Sequence, residues 1–208
     1  MTQWIQQTNN GRDRGLIALL SAWVGVMKNP RSFYDQVIIP GDQAPGVTFA
    51  MTVVGIYLLS LVTFGTAPWI SIAKHSVLSG VVLIGIFIVI ITPLVIHLLA
   101  AIQTVLLMVF IADRGSVSET VQLICYAAAP GIFMGIPILL VQIAAGVYGI
   151  SLYIIGVRVV HNVSFSKAII VGIVPASILF GYGFQMMNAL HQMISSLCSI
   201  DIFNAVCF

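Results

Sequence analysis

Few residues in this 208-residue sequence could do chemistry inside its long apolar stretches. His97 is the one ionisable side chain well inside a predicted apolar helix, and Gln103 and Gln122 are polar side chains in such helices. A histidine could carry a proton or bind a metal ion, whereas a neutral histidine can also hydrogen-bond a backbone carbonyl. Intramembrane glutamines suit either interhelical hydrogen bonds or a substrate path. These three residues are therefore the candidates for a transport site.

Motifs for catalysis are absent from the sequence. It contains no HExxH, GxSxG, GxxxxGK[ST] or GxGxxG pattern, and no two acidic residues share an apolar stretch. The cysteines at 125, 198 and 207 have no CxxC spacing, so nothing indicates a metal knuckle or a redox motif. We therefore predict a protein that is not an enzyme and that has no cofactor and no metal site.

Composition indicates that the chain lies in lipid. Apolar residues make up 60% of the sequence, charged residues only 7%, and the mean hydropathy is +1.10. An ordinary soluble domain carries roughly 25% charged residues, so this chain has too little charge to cover a soluble surface. The net charge of +2 is too small to indicate binding to nucleic acid. The sequence predicts an all-α integral membrane protein whose first partner is the lipid bilayer.

The stretch from 113 to 137 is the element around which the chain is organised. Ser116 and Glu119 have the spacing of a capping box, in which each side chain bonds the backbone of the other residue. Pro130 and Pro137 follow, seven residues apart, and should bend the helix and free backbone carbonyls. Lipid cannot satisfy those carbonyls, so we expect them to face protein or water.

Small residues recur at every fourth position along this stretch and the next. Such a pattern lets helix backbones approach closely in lipid, either within one bundle or between copies of the chain. The residues that we predict to pack against other helices are Ala127, Gly131, Gly135, Ala145 and Gly149.

A short amphipathic helix is predicted over residues 14–28. Its large apolar residues fall on one helical face, and its small residues face the other way. At about 1.5 Å per residue it is too short to span a bilayer. We interpret it as a helix in the membrane surface, anchored by Trp23, Arg14 and Lys28. A signal peptide is the alternative, although no small-x-small cleavage site follows.

Apolar stretches predict the membrane spans, but 77–112 is ambiguous. As one helix it would reach about 54 Å, against a hydrocarbon core of about 30 Å, so a break at Pro93 is expected. In one interpretation 77–91 is a re-entrant helix or a kinked extension and only the second half spans. In the other both halves span, giving six crossings. The five-span interpretation has spans at 47–66, 94–112, 117–136, 138–157 and 168–190.

The positions of the basic residues favour five spans. With five, the basic residues of the apolar connections and the N-terminal segment fall on one side and only Lys74 falls on the other, as the positive-inside rule requires. The N-terminus is then cytoplasmic and the C-terminus outside. The predicted divisions are a cytoplasmic and interfacial segment at 1–46, a five-span domain at 47–190 and an exterior tail at 191–208. An oxidising exterior would permit a disulfide between Cys198 and Cys207 if the tail turns between them.

Several of these residues together resemble the Ypt-interacting-protein (YIP) family in its short prokaryotic form. The resemblance rests on the block from Gly115 to Thr120, on Tyr126 to Pro130, and on Pro137. Residues further along the chain add to it, namely Gly156, His161, Ser164 and Ala168. It implies a five-span helical protein of the prokaryotic cytoplasmic membrane, with Ser116, Glu119, Tyr126, Pro130 and Pro137 as motif residues.

The resemblance also implies a function. Eukaryotic members of the family are linked to Rab-type GTPases, vesicle budding and membrane shaping, usually as hetero-oligomers. This chain lacks their long cytoplasmic N-terminal domain, so we do not expect it to bind a GTPase. The function expected is a non-enzymatic one, organising or shaping membrane or partnering other membrane proteins or further copies of the chain. A small transporter or channel, with a site near the proline-broken helices, is the alternative.

Overall fold

A computed structural model describes residues 6–7, 11–12, 15–66, 77–111 and 115–198. Two short strands, β1 (Gln6–Gln7) and β2 (Gly11–Arg12), form an antiparallel pair, and every other regular element described is helical. The α-helices are α1 (Leu16–Lys28), α2 (Pro30–Val37), α3 (Ala44–Thr63), α4 (Val77–Ile86), α5 (Thr92–Phe110), α6 (Val117–Ala127), α7 (Gly131–Met134), α8 (Leu139–Val160), α9 (Phe165–Ser177) and α10 (Met186–Cys198). Two π-helical segments, π1 (Phe87–Ile91) and π2 (Ile178–Gly183), follow α4 and α9.

The central segment, residues 116–137, is surrounded by the other helices. It runs parallel to α3, because Gly46 lies against Gln122 near its beginning and Ser60 lies against Gly135 near its end. It runs antiparallel to α8, since Gly156 lies against Leu123. Every side chain from Thr120 to Pro130 is buried. We call the end of the bundle where α6 begins the α2 end, because α2 packs there against the last turns of α8.

Four helical stretches in the described ranges are long and apolar enough to cross a membrane. They are Ala44–Thr63, Leu78–Phe110, Leu139–Val160 and Phe165–Gly183. Many of their large side chains are exposed, as the lipid-facing surface of a membrane bundle requires. The chain is therefore a helical membrane protein, as the sequence predicts.

The break expected at Pro93 is not present, and of the interpretations of 77–112 the structure fits the one in which 77–91 extends the second span. The helix continues from Leu78 to Phe110 with no reversal at Thr92–Pro93. The π1 segment precedes the proline, and both the backbone N–H and the hydroxyl of Thr92 donate to the carbonyl of Phe87. A π turn thus accommodates the ring and the missing N–H without ending the helix. At about 1.5 Å per residue this helix exceeds the bilayer core, so it must tilt or extend beyond it.

The predicted span 117–136 is not one helix. The α6 helix ends at Ala127, a turn covers Ala128 to Pro130, and the four-residue α7 follows. Here the N–H groups of Ala129, Gly131 and Phe133 donate to the carbonyl three residues earlier, for example from Gly131 to Ala128 at 2.8 Å, instead of four residues earlier as in an α-helix. The segment nevertheless keeps its direction along α3, from Gly46 to Ser60.

The predicted span 168–190 also has different bounds. Its helix begins at Phe165 and ends with π2 at Gly183, after Pro175 inside α9. Gln185 then adopts a left-handed conformation with φ of 61°, and α10 begins at Met186 as a separate helix. The tail predicted to start at 191 is therefore helical to Cys198. The disulfide prediction involves Cys207 and the Cys198 side chain, which lie outside the described residues, as does Lys74.

The α1 helix presents its small residues to the bundle. Ala18, Ala22 and Val26 are buried, whereas the side chains of Leu16, Ile17 and Leu20 are 60–80% exposed. Leu19 packs against the core and does not share the exposure of Leu20. The side chain of Arg14, one of the predicted surface anchors, lies outside the described residues, and Lys28 is exposed in the last turn of α1.

Candidate functional site

Polar side chains at the start of the central segment bond backbone groups of neighbouring elements. Ser116 and Glu119 form a reciprocal capping box: the N–H of Glu119 donates to the Ser116 hydroxyl at 3.3 Å, and the N–H of Ser116 donates to the Glu119 carboxylate. In the same turn, the Ser118 hydroxyl accepts from the N–H of Gly41 at 3.0 Å. The beginning of α6 therefore also fixes the connection between α2 and α3.

Gln122 is bound to that same connection by a pair of hydrogen bonds. Its amide Nε2 donates to the carbonyl of Ile39 at 2.6 Å, and its Oε1 accepts from the N–H of Ile39 at 3.2 Å. The side chain is 2% exposed. The amide thus replaces the backbone partners that Ile39 lacks between two helices. In this structure Gln122 therefore connects the central segment to the segment between α2 and α3.

His161 makes contacts between two helices that the sequence analysis did not predict. It follows α8, is buried, and accepts from the N–H of Gly115 through Nδ1 at 3.0 Å. Because Nδ1 accepts, a neutral His161 carries its proton on Nε2, which lies 3.4 Å from the Thr120 hydroxyl. The imidazole therefore links the end of α8 to the beginning of α6. Its place in the family motif was the one available signal.

The turn that contains Pro130 leaves the carbonyl of Ala129 without its helical partner, and Trp23 satisfies it. The N–H of Phe133, which in an α-helix would bond Ala129, bonds Pro130 instead at 3.0 Å. The indole Nε1–H of Trp23 donates to the carbonyl of Ala129 at 2.9 Å, and its ring lies 5.7 Å from that of Phe133. Trp23 thus fastens α1 to the central segment. Only the remaining exposed part of its ring could serve the predicted role of membrane anchor.

The carbonyl freed near Pro137 has a comparable partner. The amide of Gln142 donates to the carbonyl of Met134 at 3.1 Å. At the other end of α1, the hydroxyl of Tyr148 donates to the carbonyl of Met27. The carbonyls of Ala129 and Met134 thus face protein side chains, in line with the expectation that freed carbonyls meet protein or water.

The predicted small residues of the central segment and α8 lie where other elements approach. A Cβ atom added to Gly131 would lie 2.4 Å from Cε1 of Phe184, and one added to Gly149 would lie 2.2 Å from Cε1 of Phe180. At Gly135 the nearest atoms include Cβ of Ser60 at 2.5 Å and the backbone oxygen of Tyr57 at 3.0 Å. Ala127 and Ala145 are buried. Gly146, which the sequence analysis did not single out, would meet Sδ of Met186 at 2.3 Å.

Aromatic rings of α2 and α3 pack around the motif tyrosine. The Tyr126 ring lies 5.0 Å from that of Phe33 and 5.1 Å from that of Phe49. Tyr34 is buried against Gly156, and its hydroxyl is one of three buried side-chain atoms without a hydrogen-bond partner among the described residues. Burial raises the pKa of Tyr34 well above its ordinary value, so this hydroxyl remains neutral.

An apolar cavity of about 410 Å³ lies between α3, the central segment and the two π-helical segments. Phe87 and Ile91 of π1 line it from one side, and Leu179 and Tyr182 of π2 line it from another. Tyr57 also lines it, and its hydroxyl is buried without a hydrogen-bond partner in the described ranges. The cavity suits an apolar molecule rather than an ion.

The three residues predicted for transport take part in separate interactions. His97 is exposed; its Nδ1 lies 2.7 Å from the carbonyl of Pro93, and its Nε2 lies 3.2 Å from Oε1 of Gln43, beside the start of α3. His97 therefore lies at the same level of the bundle as the start of α3. Gln103 is buried and accepts from the Tyr153 hydroxyl at 3.1 Å. Neither these two residues nor Gln122 lines the apolar cavity.

This arrangement defines a class of helical membrane protein. Its central segment begins with a capping box and is interrupted by a turn at a proline. The sequence matches the Yip1 domain over residues 24–187, which include the central segment, α8 and α9. The chain belongs to the Yip1 family, and the resemblance predicted from its residues is confirmed. Searches among curated proteins and among solved structures returned no match. Within the described residues no group of three or more His, Cys, Asp or Glu side chains could hold a metal ion.

Proposed function

We propose that this Yip1-family protein is a non-enzymatic membrane protein that organises or shapes the bilayer and acts as a partner for other membrane proteins or further copies of itself. The observation that carries the proposal is the way α1 is attached. Its small face is buried, Trp23 and Met27 are hydrogen-bonded to the bundle, and Leu16 and Ile17 remain 80% exposed. Because Ala129 and Phe133 lie well inside the central segment, a helix fixed there with this exposed apolar face would lie among the acyl chains beside the bundle and displace lipid.

The proposed topology has five crossings, with the broken central segment counted as one of them. The central segment has about 20 residues and runs parallel to α3, which supports this count. Arg31 and Arg158 line one cleft at the α2 end, and Lys28 and Lys167 are the adjacent basic residues at helix ends. By the positive-inside rule the α2 end is cytoplasmic, so the N-terminus lies inside and the C-terminus outside a prokaryotic cytoplasmic membrane.

The proposal is tested by reconstituting the purified protein into vesicles and imaging their shape. We expect the protein to deform vesicles, and Leu20→Glu to abolish the deformation because a carboxylate resists entry into the acyl boundary. Ser21→Glu is the matched control, since Ser21 is an exposed neighbour on the same helix. Leu19 is not a suitable target, because it packs against the core. Equal deformation by the wild type and Leu20→Glu would refute membrane shaping by α1.

The alternative function, transport, has the apolar cavity in its favour. Helix irregularities often occur at functional sites, and both π-helical segments line this cavity. Its lining would suit an apolar solute. Val54→Trp would fill it, so we would expect this variant to stop uptake of an apolar dye into proteoliposomes. Val62→Trp, at an exposed position on the same helix, is the control. Absence of any protein-dependent uptake would exclude transport of such dyes.

A further inference from the structure

A polar cleft of about 510 Å³ at the α2 end contains two arginines from different elements. Arg31 comes from the first turn of α2 and Arg158 from the last turn of α8. Both are exposed, and neither forms an ion pair with Asp35, the carboxylate of the same cleft, within the part of the chain that the structure describes. Two arginines thus line one space with a single carboxylate, and neither is paired with it.

The remaining polar groups of the cleft are amides and hydroxyls. Asn29 precedes α2, but its side chain does not cap that helix, so its amide is available. Asn162 lies opposite, after α8, in a left-handed conformation with φ of 48°. Ser32 also lines the cleft, and its hydroxyl already accepts from the amide of Gln36 at 3.0 Å. Guanidinium and amide donors in this combination match the oxygens of a phosphodiester.

The position of the cleft identifies the source of the phosphodiester. Arg158 lies in the last turn of α8, a helix of 22 residues that is long and apolar enough to cross a membrane. The end of such a helix lies at the depth of the lipid headgroups, whichever side of the membrane it faces. We propose that this cleft binds the headgroup of an anionic glycerophospholipid, with its phosphate between Arg31 and Arg158.

Asp35 narrows the choice of headgroup further. A carboxylate beside two arginines would repel a second phosphate charge, but it would accept hydrogen bonds from hydroxyl groups. The headgroup that satisfies all these groups carries one phosphodiester charge and hydroxyl donors, as in phosphatidylglycerol. Arg31, Arg158 and Asp35 together carry a net positive charge, which attracts an anionic headgroup. Phosphatidylethanolamine has no net charge, so it should bind more weakly even if its ammonium group pairs with Asp35.

The experiment measures binding of short-chain phosphatidylglycerol to the full-length protein in neutral detergent by native mass spectrometry. We expect Arg31→Gln together with Arg158→Gln to weaken binding about tenfold or more, because two charge-assisted hydrogen-bond donors are lost. Lys28→Gln together with Lys167→Gln removes the same charge from two exposed residues that do not line the cleft, and should change binding less than about threefold. Thermal unfolding without lipid checks that the variants are folded.

Three further arms separate the sources and the headgroup chemistry. Inorganic phosphate should not displace phosphatidylglycerol at the concentrations at which phosphatidylglycerol binds. Phosphatidylethanolamine should bind more weakly than phosphatidylglycerol by a factor of about ten or more. Asp35→Asn should reduce the preference for phosphatidylglycerol over phosphatidic acid, because the acceptor for its hydroxyls is weakened. An equal loss of phosphatidylglycerol binding in the double lysine variant and the double arginine variant would overturn the proposed site. Binding of phosphatidylethanolamine as tight as that of phosphatidylglycerol would also overturn it. This inference does not depend on membrane shaping, since the variants leave α1's apolar face unchanged.

Discussion

At the scale of single residues, several polar side chains bond backbone groups that the helices leave without partners. Gln122 bonds both polar groups of Ile39, His161 accepts from Gly115, and Trp23 donates to Ala129. In lipid a backbone group without a partner costs several kcal/mol, so such bonds determine where the chain can leave regular helix. These side chains therefore serve first to stabilise the fold.

Replacing Gln122 tests this interpretation. Gln122→Leu keeps the volume but removes both bonds to Ile39, which is half-buried. We expect a loss of about 1–2 kcal/mol in the free energy of unfolding and a lower thermal midpoint in detergent. Gln36→Leu on α2 is the matched control, since Gln36 is exposed and bonds only Ser32. Equal midpoints for Gln122→Leu and wild type would show that the bonds to Ile39 do not stabilise the fold.

Replacing Gly135 tests close packing at the same scale. In Gly135→Ala the new Cβ would lie 3.0 Å from the backbone oxygen of Tyr57, which cannot move aside as a side chain could. We expect a destabilisation of about 1–3 kcal/mol, and a similar one for Gly131→Ala against Phe184. Gly85→Ala has no atom within 4 Å of the new Cβ and should be neutral or slightly stabilising. Thermal unfolding of the variants in one detergent measures the difference.

At the scale of elements, the helices are interrupted without losing their direction. The π1 segment accommodates Pro93, π2 follows Pro175, and the turn at Pro130 divides the central segment. At π1 and π2 residues of the same segment bond the freed carbonyls, whereas at Pro130 a neighbouring helix does so and becomes coupled to the central segment. The clearest case is α1, whose tryptophan completes the turn at Pro130.

The coupling of α1 to the central segment predicts the effect of Trp23→Phe. This variant keeps a ring beside Phe133 but removes the N–H that bonds Ala129. We expect faster hydrogen exchange in α1 and in residues 128–134, while exchange in α9 stays unchanged. Trp23→Phe with wild-type exchange in both regions would mean that other contacts hold α1 in place.

At the scale of the whole molecule, two ends of the bundle differ in chemistry. The α2 end contains the cleft with Arg31 and Arg158, whereas the opposite end contains α10 and a cavity lined by Pro137, Asn188 and His191. The predicted orientation follows from that asymmetry, because basic residues stay on the cytoplasmic side.

Labelling of single cysteines tests the orientation. In a background of Cys125→Ala, Cys198→Ser and Cys207→Ser, we expect a membrane-impermeant maleimide to label Asn188→Cys in intact cells. Gln36→Cys should be labelled only after the cells are opened. Both positions are exposed and lie at opposite ends of the bundle. The reverse pattern would invert the topology, and labelling of both in intact cells would refute the number of crossings.

The sequence by itself determined the class, the cap and the family. Low charge and long apolar stretches require lipid, and the Ser116–Glu119 spacing is a local pattern that acts within one helical turn. The block around Pro130 was specific enough to predict the Yip1 family. The small residues could be identified too, because their spacing follows the helical repeat.

Only the tertiary structure decided how the prolines are accommodated and which polar residues meet. Pro93 was expected to break a helix, but a π turn and the bonds of Thr92 accommodate it within a continuous helix. The chemistry of proline alone does not distinguish a broken helix from a continuous one. The partners of Gln122 and His161 lie 83 and 46 residues away along the chain, so no local pattern could reveal them. Likewise, Arg31 and Arg158 line the same cleft only because α2 packs against the end of α8. Contacts between distant segments depend on packing, which a single sequence encodes only through the whole fold.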